Sequence, residues 1–199
     1  MLNPLLPNVW QWSWFSEEKQ LDFNGLYLTV GDHRVVVDPP PLNAEQKAHL
    51  KRLGRVDYIV VTNRDHARES AEYQREWGCH LYVPAADAAD MALRPTRTYK
   101  DGELLPGGIW ALRLQDQKSP GESALFLQQS KGILIVGDAL IGRPAGSVSM
   151  LPAEKYADVG KAKEALRRFL KYDFQALLVG DGASILTNAK AVVAQFLGG

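Results

Sequence analysis

Asp57-Tyr-Ile-Val-Val-Thr-Asn-Arg-Asp-His66 is a short apolar run that stops abruptly in polar and ionisable side chains. Uninterrupted apolar runs of this length, rich in β-branched residues, suit strands covered on both faces. Two more stretches end the same way, Ile133-Leu-Ile-Val-Gly-Asp138 and Ala176-Leu-Leu-Val-Gly-Asp181. Three buried strands, each delivering a carboxylate, predict a site at the edge of a sheet. The plainer alternative is that Asp138 and Asp181 cap the loops after their strands, because Asp-Ala and Asp-Gly are common turn starts.

Outward from these strands the chain alternates. Residues 8–15 form an aromatic-rich strand that places Trp10, Trp12 and Trp14 on one face, as cover for a core edge. Leu26–Val30 and Arg34–Asp38 flank the turn pair Gly31-Asp32 and read as a hairpin. Asn43 caps a helix to Leu53, with Gln46 placed for a capping box and Gly54 as the stop. Strands are expected at Val56–Thr62 and His80–Val83, and helices at Arg68–Trp77 and Ala85–Leu93. The second half offers strands at Ile109–Leu114, Ser123–Gln128, Ile133–Gly137 and Gln175–Val179. Its helices are Asp158–Tyr172, with Ala162, Ala165, Leu166, Phe169 and Leu170 on one side, and Thr187–Leu197. Both halves begin in strands and then alternate strand with helix. This predicts an α/β protein, a four-layer αββα sandwich of two mixed β-sheets with outer helices, as a single domain over residues 1–199.

Composition narrows the partners. Lys plus Arg and Asp plus Glu both number 23. A balanced charge argues against nucleic acid and anionic membranes as partners, and no apolar run is long enough to span a bilayer. The single cysteine, Cys79, excludes an intrachain disulfide. With no secretory signal at the N-terminus, it points to a reducing compartment, the cytoplasm.

The order of pieces resembles the metallo-β-lactamase superfamily. The landmarks are Val36-Val-Asp38-Pro39, Val61-Thr62 before a loop, Lys118-Ser-Pro-Gly-Glu122 before a strand, Val136-Gly-Asp138-Ala139 and Val179-Gly-Asp181-Gly182. The resemblance implies hydrolysis at a two-zinc centre built from a His-x-His-x-Asp-His loop, a further histidine, a bridging aspartate and a last histidine. Without gaps, the loop positions fall on Asn63, Asp65, Ala67 and Arg68, and the further histidine on Lys118. The bridging aspartate is kept as Asp138, and the last histidine becomes Asp181. Shortening the loop by two residues matches only Asp65-His66 to the Asp-His pair. Of four histidines, His33, His49 and His80 belong to a hairpin, an outer helix and a strand start, leaving His66 alone near the loop. Zinc favours nitrogen and sulfur ligands, so no zinc is expected.

Cations on ligand positions suggest substitution. At ~4 Å and an effective dielectric of ~20, opposite charges attract by about 4 kcal/mol, so Lys118 with Arg64 or Arg68 would neutralise Asp65, Asp138 and Asp181. The expected function is that of a hydrolase-like protein with a remodelled, zinc-free site for a small anionic or carbonyl-bearing molecule. Asp138, His66 and Lys118 are the candidate catalytic residues, with Asp138 or His66 as base. Asn63, Arg64, Asp65, Arg68 and Asp181 are the candidate substrate-binding residues, with Lys118 and Arg68 holding an oxyanion. Two alternatives stay open. One is a non-catalytic binding or interaction protein on the same fold. The other is a hydrolase with a single Mn²⁺, Fe²⁺ or Mg²⁺ held by Asp65, Asp138, Asp181 and His66.

Overall fold

A computed structural model describes residues 1–198. In the N-terminal half, strands β1 (Asn3–Leu6), β2 (Val9–Ser16), β3 (Leu21–Val30), β4 (His33–Val37), β5 (Tyr58–Val60), β6 (His80–Pro84) and β7 (Arg97–Tyr99) lie side by side in chain order as one sheet. Pairing is antiparallel up to β4 and parallel from β4 to β7. Helices α1 (Ala44–Leu53) and α2 (Ser70–Trp77) are the crossovers between the parallel strands. The second sheet runs β12 (Ala176–Val179), β11 (Ile133–Val136), β10 (Ser123–Leu127), β9 (Ile109–Arg113), β8 (Leu104–Leu105). There β11 and β12 are parallel and the rest antiparallel. Helices α3 (Val159–Ala165) and α4 (Ala189–Leu197) complete the outer layer.

Alternate residues of one strand serve different layers, which is the period-2 rule acting on a doubly covered sheet. Val35, Val37 and Val60 face Ile133, Ile135 and Leu178 in the core between the sheets. Val36 and Ile59 turn outward onto Leu50 and Tyr73 of α1 and α2. Leu134, Val136 and Leu177 turn onto Leu166, Phe169 and Val193 on the opposite side. The four-layer αββα arrangement is thereby established.

Local readings and structure agree best where a cap or turn has its own chemistry. Asn43 and Gln46 exchange hydrogen bonds as a capping box, and the chain leaves α1 at Gly54. They differ where tertiary contacts intervene. Residues 85–93 hold only a 3₁₀ turn, Ala88–Asp90, because Asp87 is buried and its carboxylate accepts from Arg64 N, Gly121 N and Ser119 Oγ. The helix expected over 158–172 tightens to 3₁₀ at Leu166–Lys171. That pitch stacks residues three apart and keeps Leu166 and Phe169 on the buried side. Strands β1, β7 and β8 are short, lack alternation and owe their form to their neighbours. Tyr58 is half-buried rather than enclosed, with its ring against His33, His80 and Tyr82.

The tryptophan face is graded. Trp12 is buried and its indole N–H donates to Pro40 O at 3.1 Å. Gly25 lies opposite, and a Cβ there would come within 2.4 Å of the indole, so the ring requires glycine. Trp10 packs edge-on to Tyr27, whereas Trp14 is 43% exposed beside Phe23. Core cover therefore describes Trp10 and Trp12 but not Trp14.

Candidate functional site

Four strand ends meet at one edge of the sandwich. The end of β4 supplies Asp38, whose backbone is left-handed, with φ 47°. Its Oδ1 accepts from Thr62 N at 2.8 Å, and its Oδ2 accepts from Thr62 Oγ1 at 2.5 Å and lies 2.9 Å from His66 Nδ1. After β5, Asn63 caps the 3₁₀ turn Arg64–His66, its Oδ1 accepting from Asp65 N and His66 N. Its Nδ2 donates to the buried Glu122 at 2.7 Å. This cap aims the His66 ring at the second sheet. Gly180 makes the room, since a Cβ there would sit 2.4 Å from His66 Cε1.

The second sheet brings Asp138 from β11 and Asp181 from β12. His66 Nε2 lies 3.4 Å from Asp138 Oδ1 and 3.8 Å from Asp181 Oδ2. The other oxygen of each carboxylate is held by a cation. Lys118 Nζ is 2.9 Å from Asp138 Oδ2 and 3.0 Å from Asp65 Oδ2. Arg68 donates to Asp181 Oδ1 at 2.6 Å and to the carbonyls of Asn24, Asp38 and Gly180. Arg68 itself has φ 40°, a left-handed backbone that a long side chain rarely adopts. Two left-handed non-glycine residues at one site mark backbone strain held in place by these bonds.

Burial sets the electrostatics. It opposes charge on His66, as does Arg68, yet Asp38 and Asp138 outweigh both and raise its pKa to about 10. Burial works against ionisation of Asp138, but His66 and Lys118 hold its carboxyl well below the usual range. Lys118 shifts upward, burial being overcome by Asp138 and Asp65. Asp181 shifts upward because burial and nearby carboxylates exceed the pull of His66 and Arg68. Glu122, fully enclosed, is raised well above its ordinary value by burial and by Asp138.

Of the residues singled out in the sequence, His66, Asp138, Asp181, Lys118, Asp65 and Arg68 converge. Arg64 does not: its guanidinium pairs with Asp90 at the surface, 2.9 Å away. Asn63 is fully buried with both ends of its amide engaged, which fits it to support the turn rather than to touch a ligand. Solvent reaches the cluster past Lys118 and Asp65, 29% and 41% exposed. The sequence reading passed over Asp38, Glu122 and Asn24 as site residues. Asp38 carried the same strand-end signature as the other aspartates. Asn24, whose Nδ2 donates to Val179 O and Gly182 O across the two sheets, carried no local signal. A groove of about 610 Å³ between α1 and α2, around Lys51, Arg55 and Trp77, lies apart from this cluster.

A zinc pair does not fit these residues. Two zinc ions need several nitrogen or sulfur ligands, and the cluster offers one nitrogen, His66 Nε2. Asn63 is engaged elsewhere and Lys118 is an ammonium group lying between two carboxylates. A single ion has a smaller requirement. His66, Asp138 and Asp181, all buried, each offer an atom, and these atoms lie within 4.8 Å of one another.

Comparison with known proteins agrees with this fold. Among curated proteins none matches the sequence. A metallo-β-lactamase from Pontibacter korlensis superposes with a TM-score of 0.77 at 15% identity, over 100% of this chain and 97% of that one. The DIM-1 metallo-β-lactamase does so at 0.75 and 14%, over 98% and 97%. FIM-1 from Pseudomonas aeruginosa, in a mono-zinc form, gives 0.73 and 17%, over 100% and 94%. At these identities the likeness is one of fold. The sequence model of the metallo-β-lactamase superfamily, however, matches residues 2–197, and the chain belongs to that superfamily.

Proposed function

We propose that this is a hydrolase-like protein whose remodelled site, lacking a zinc pair, binds or hydrolyses a small anionic or carbonyl-bearing molecule. The observation that carries the reading is the Lys118 ammonium at the lip of the cluster, partly exposed and bridging Asp65 and Asp138. An incoming carboxylate or developing oxyanion exchanges for Asp65, the more exposed of its partners, and gains a charge-assisted hydrogen bond. Arg68 is only 9% exposed and its donors are engaged, so it orients Asp181 instead of meeting the ligand. Of the two groups expected to act as base, Asp138 is the available acceptor at neutral pH. His66 retains its proton and stabilises negative charge. A divalent ion on His66, Asp138 and Asp181 would first have to displace the Nε2 proton of His66, and would then supply a bound water of lowered pKa and a Lewis acid.

A second reading, a non-catalytic binding protein on this fold, draws on the saturated bonding of Arg68 and Asn63. The same charge balance argues against nucleic acid and membrane surfaces as partners, and no helix among the described residues is long and apolar enough to cross a membrane. The sole cysteine, buried, suits a cytoplasmic setting.

The test is a panel of small carboxylates, phosphates, esters and lactones, scored by thermal shift and by turnover, on the native protein and on Lys118→Met. At least one anionic or carbonyl compound should stabilise the native protein and lose its effect in the variant. Turnover selects the hydrolase reading, and binding without turnover selects the second. Ligand shifts of equal size in both proteins would overturn the role of Lys118.

A further inference from the structure

We propose that the groove between α1 and α2 is a second binding site, which takes a small aromatic carboxylate. It lies in the outer helical layer and shares no residue with the strand-end cluster, so it stands whatever that cluster does.

The volume of the groove, about 610 Å³, falls within the roughly 300–1,000 Å³ usual for small-molecule sites. The apolar part of its wall includes Leu50, Val56 and Trp77. Leu50 and Val56 are 4% and 2% exposed and belong to the core beneath the helices, so they form a firm floor. Trp77 ends α2 and is half-buried. Its indole lies flat on the buried Tyr73 ring, with centroids 4.4 Å apart and planes 11° from parallel. The stack fixes the indole in advance, so a planar ligand ring packs against it at little cost in side-chain ordering.

Charge selects the other end of the ligand. Lys47, Lys51 and Arg55 line the groove against one carboxylate, Glu76. Lys47 is engaged with α2, 2.9 Å from Glu76 and 3.7 Å from Glu72. Lys51 and Arg55 are exposed and, among the described residues, neither is paired with a carboxylate. Arg55 makes a single long hydrogen bond, Nη2 donating to Gly78 O at 3.4 Å, which leaves the rest of its fork free. That fork matches the two oxygens of a carboxylate. Both cations stand at the C-terminal end of α1, whose carbonyls contribute about half a negative charge. With Glu76 also on the wall, the remaining positive surplus suits a monoanion better than a phosphate dianion.

The experiment is an NMR titration of the full chain with 2-naphthoate, following backbone amides and tryptophan indole N–H signals. The indole signal of Trp77 is identified from Trp77→Phe. Saturable shifts are expected at residues 47–56, 76 and 77, with a Kd of about 1 mM or below. The surface double variant Lys51→Ala, Arg55→Ala should weaken them at least about tenfold, since hydrogen bonds to charged groups are lost. The neutral analogue 2-naphthylmethanol and inorganic phosphate should each bind at least about tenfold more weakly, for want of the charge and of the ring respectively. Lys118→Met should bind 2-naphthoate at the groove as the native protein does. Absence of groove shifts at millimolar ligand, undiminished affinity in the folded double variant, or equal binding of the neutral analogue would each overturn the proposal. So would loss of the groove shifts in a folded Lys118→Met variant. Shifts around Lys118 and Asp138 report on the strand-end cluster separately, so failure at one site is distinguished from failure at the other.

Discussion

The Lys118 ammonium stands 2.9 Å from Asp138 Oδ2 and 3.0 Å from Asp65 Oδ2, joining the loop before β10 to the ends of β5 and β11. Asp138 is 7% exposed at its side chain and Asp65 41%, so one cation spans the interior and the solvent. A buried carboxylate needs such a partner, because an ion taken out of water without one costs several kcal/mol.

Lys118→Met leaves Asp138 with His66 alone. Because the lysine is partly exposed, its loss should destabilise the fold by about 1–3 kcal/mol, less than for a fully enclosed pair. The pKa of Asp138 should rise, since one of the charges depressing it is gone. Urea unfolding and carboxyl carbon NMR titration check both. An unshifted Asp138 would mean the pair is incidental.

Two pH limbs are expected with chelator present. The folded pKa of Asp138 is depressed, so its contribution to stability is present above the unfolded value, about 3.9, and is lost as pH falls through the folded one. His66 behaves oppositely. Raised to about 10, it contributes fully below its unfolded value of about 6.5 and loses that contribution as pH rises toward 10. Denaturant unfolding at stepped pH should show greatest stability between the limbs, and His66→Gln should flatten the alkaline limb and also weaken the acid one, because His66 is one of the two groups that depress Asp138.

Gly180→Ala tests how His66 is seated. The added methyl would meet His66 Cε1 at 2.4 Å and Nδ1 at 2.8 Å. The ring must move away from Asp38, or the chain must shift, with a penalty of about 1–3 kcal/mol for overpacking. Imidazole nitrogen NMR should report a changed His66 environment. An unperturbed ring would show that the backbone yields first.

Core truncations should rank by layer. Ile135→Ala empties a position between the two sheets, 1% exposed, and should cost about 2–5 kcal/mol. Tyr58→Ala removes a half-buried ring that lies against His33, His80 and Tyr82. Its cost should fall below that of Ile135→Ala, measured as the difference in urea midpoints at equal m-values.

Much of this architecture was readable along the chain. Val35–Val37, Tyr58–Val61, Ile133–Val136 and Ala176–Val179 announce covered strands by composition alone. Asn43 with Gln46 announces a helix start, and Gly31-Asp32 a hairpin. The aspartates closing three of those strands pointed to one edge of the sandwich, and Asp65, His66, Lys118, Asp138 and Asp181 do gather there. These signals are legible because they depend on neighbours a few residues away, through the pleat, the turn or the first helical bond.

The partner of each charge was not legible in that way. Lys118, Arg64 and Arg68 were equally eligible for the strand-end carboxylates, yet Lys118 took Asp65 and Asp138, Arg68 took Asp181, and Arg64 went to Asp90. Asn63 looked like a ligand contact and is a buried cap joined to Glu122, while Asp38 looked like a strand end and is the anchor of His66. Asn24 reaches across the sheets to Val179 and Gly182, residues far away along the chain. Pairings of this kind are set when two sheets close and desolvate their edges. Each buried polar atom must then find a partner among whatever the other sheet presents at that point, which no local stretch of sequence encodes.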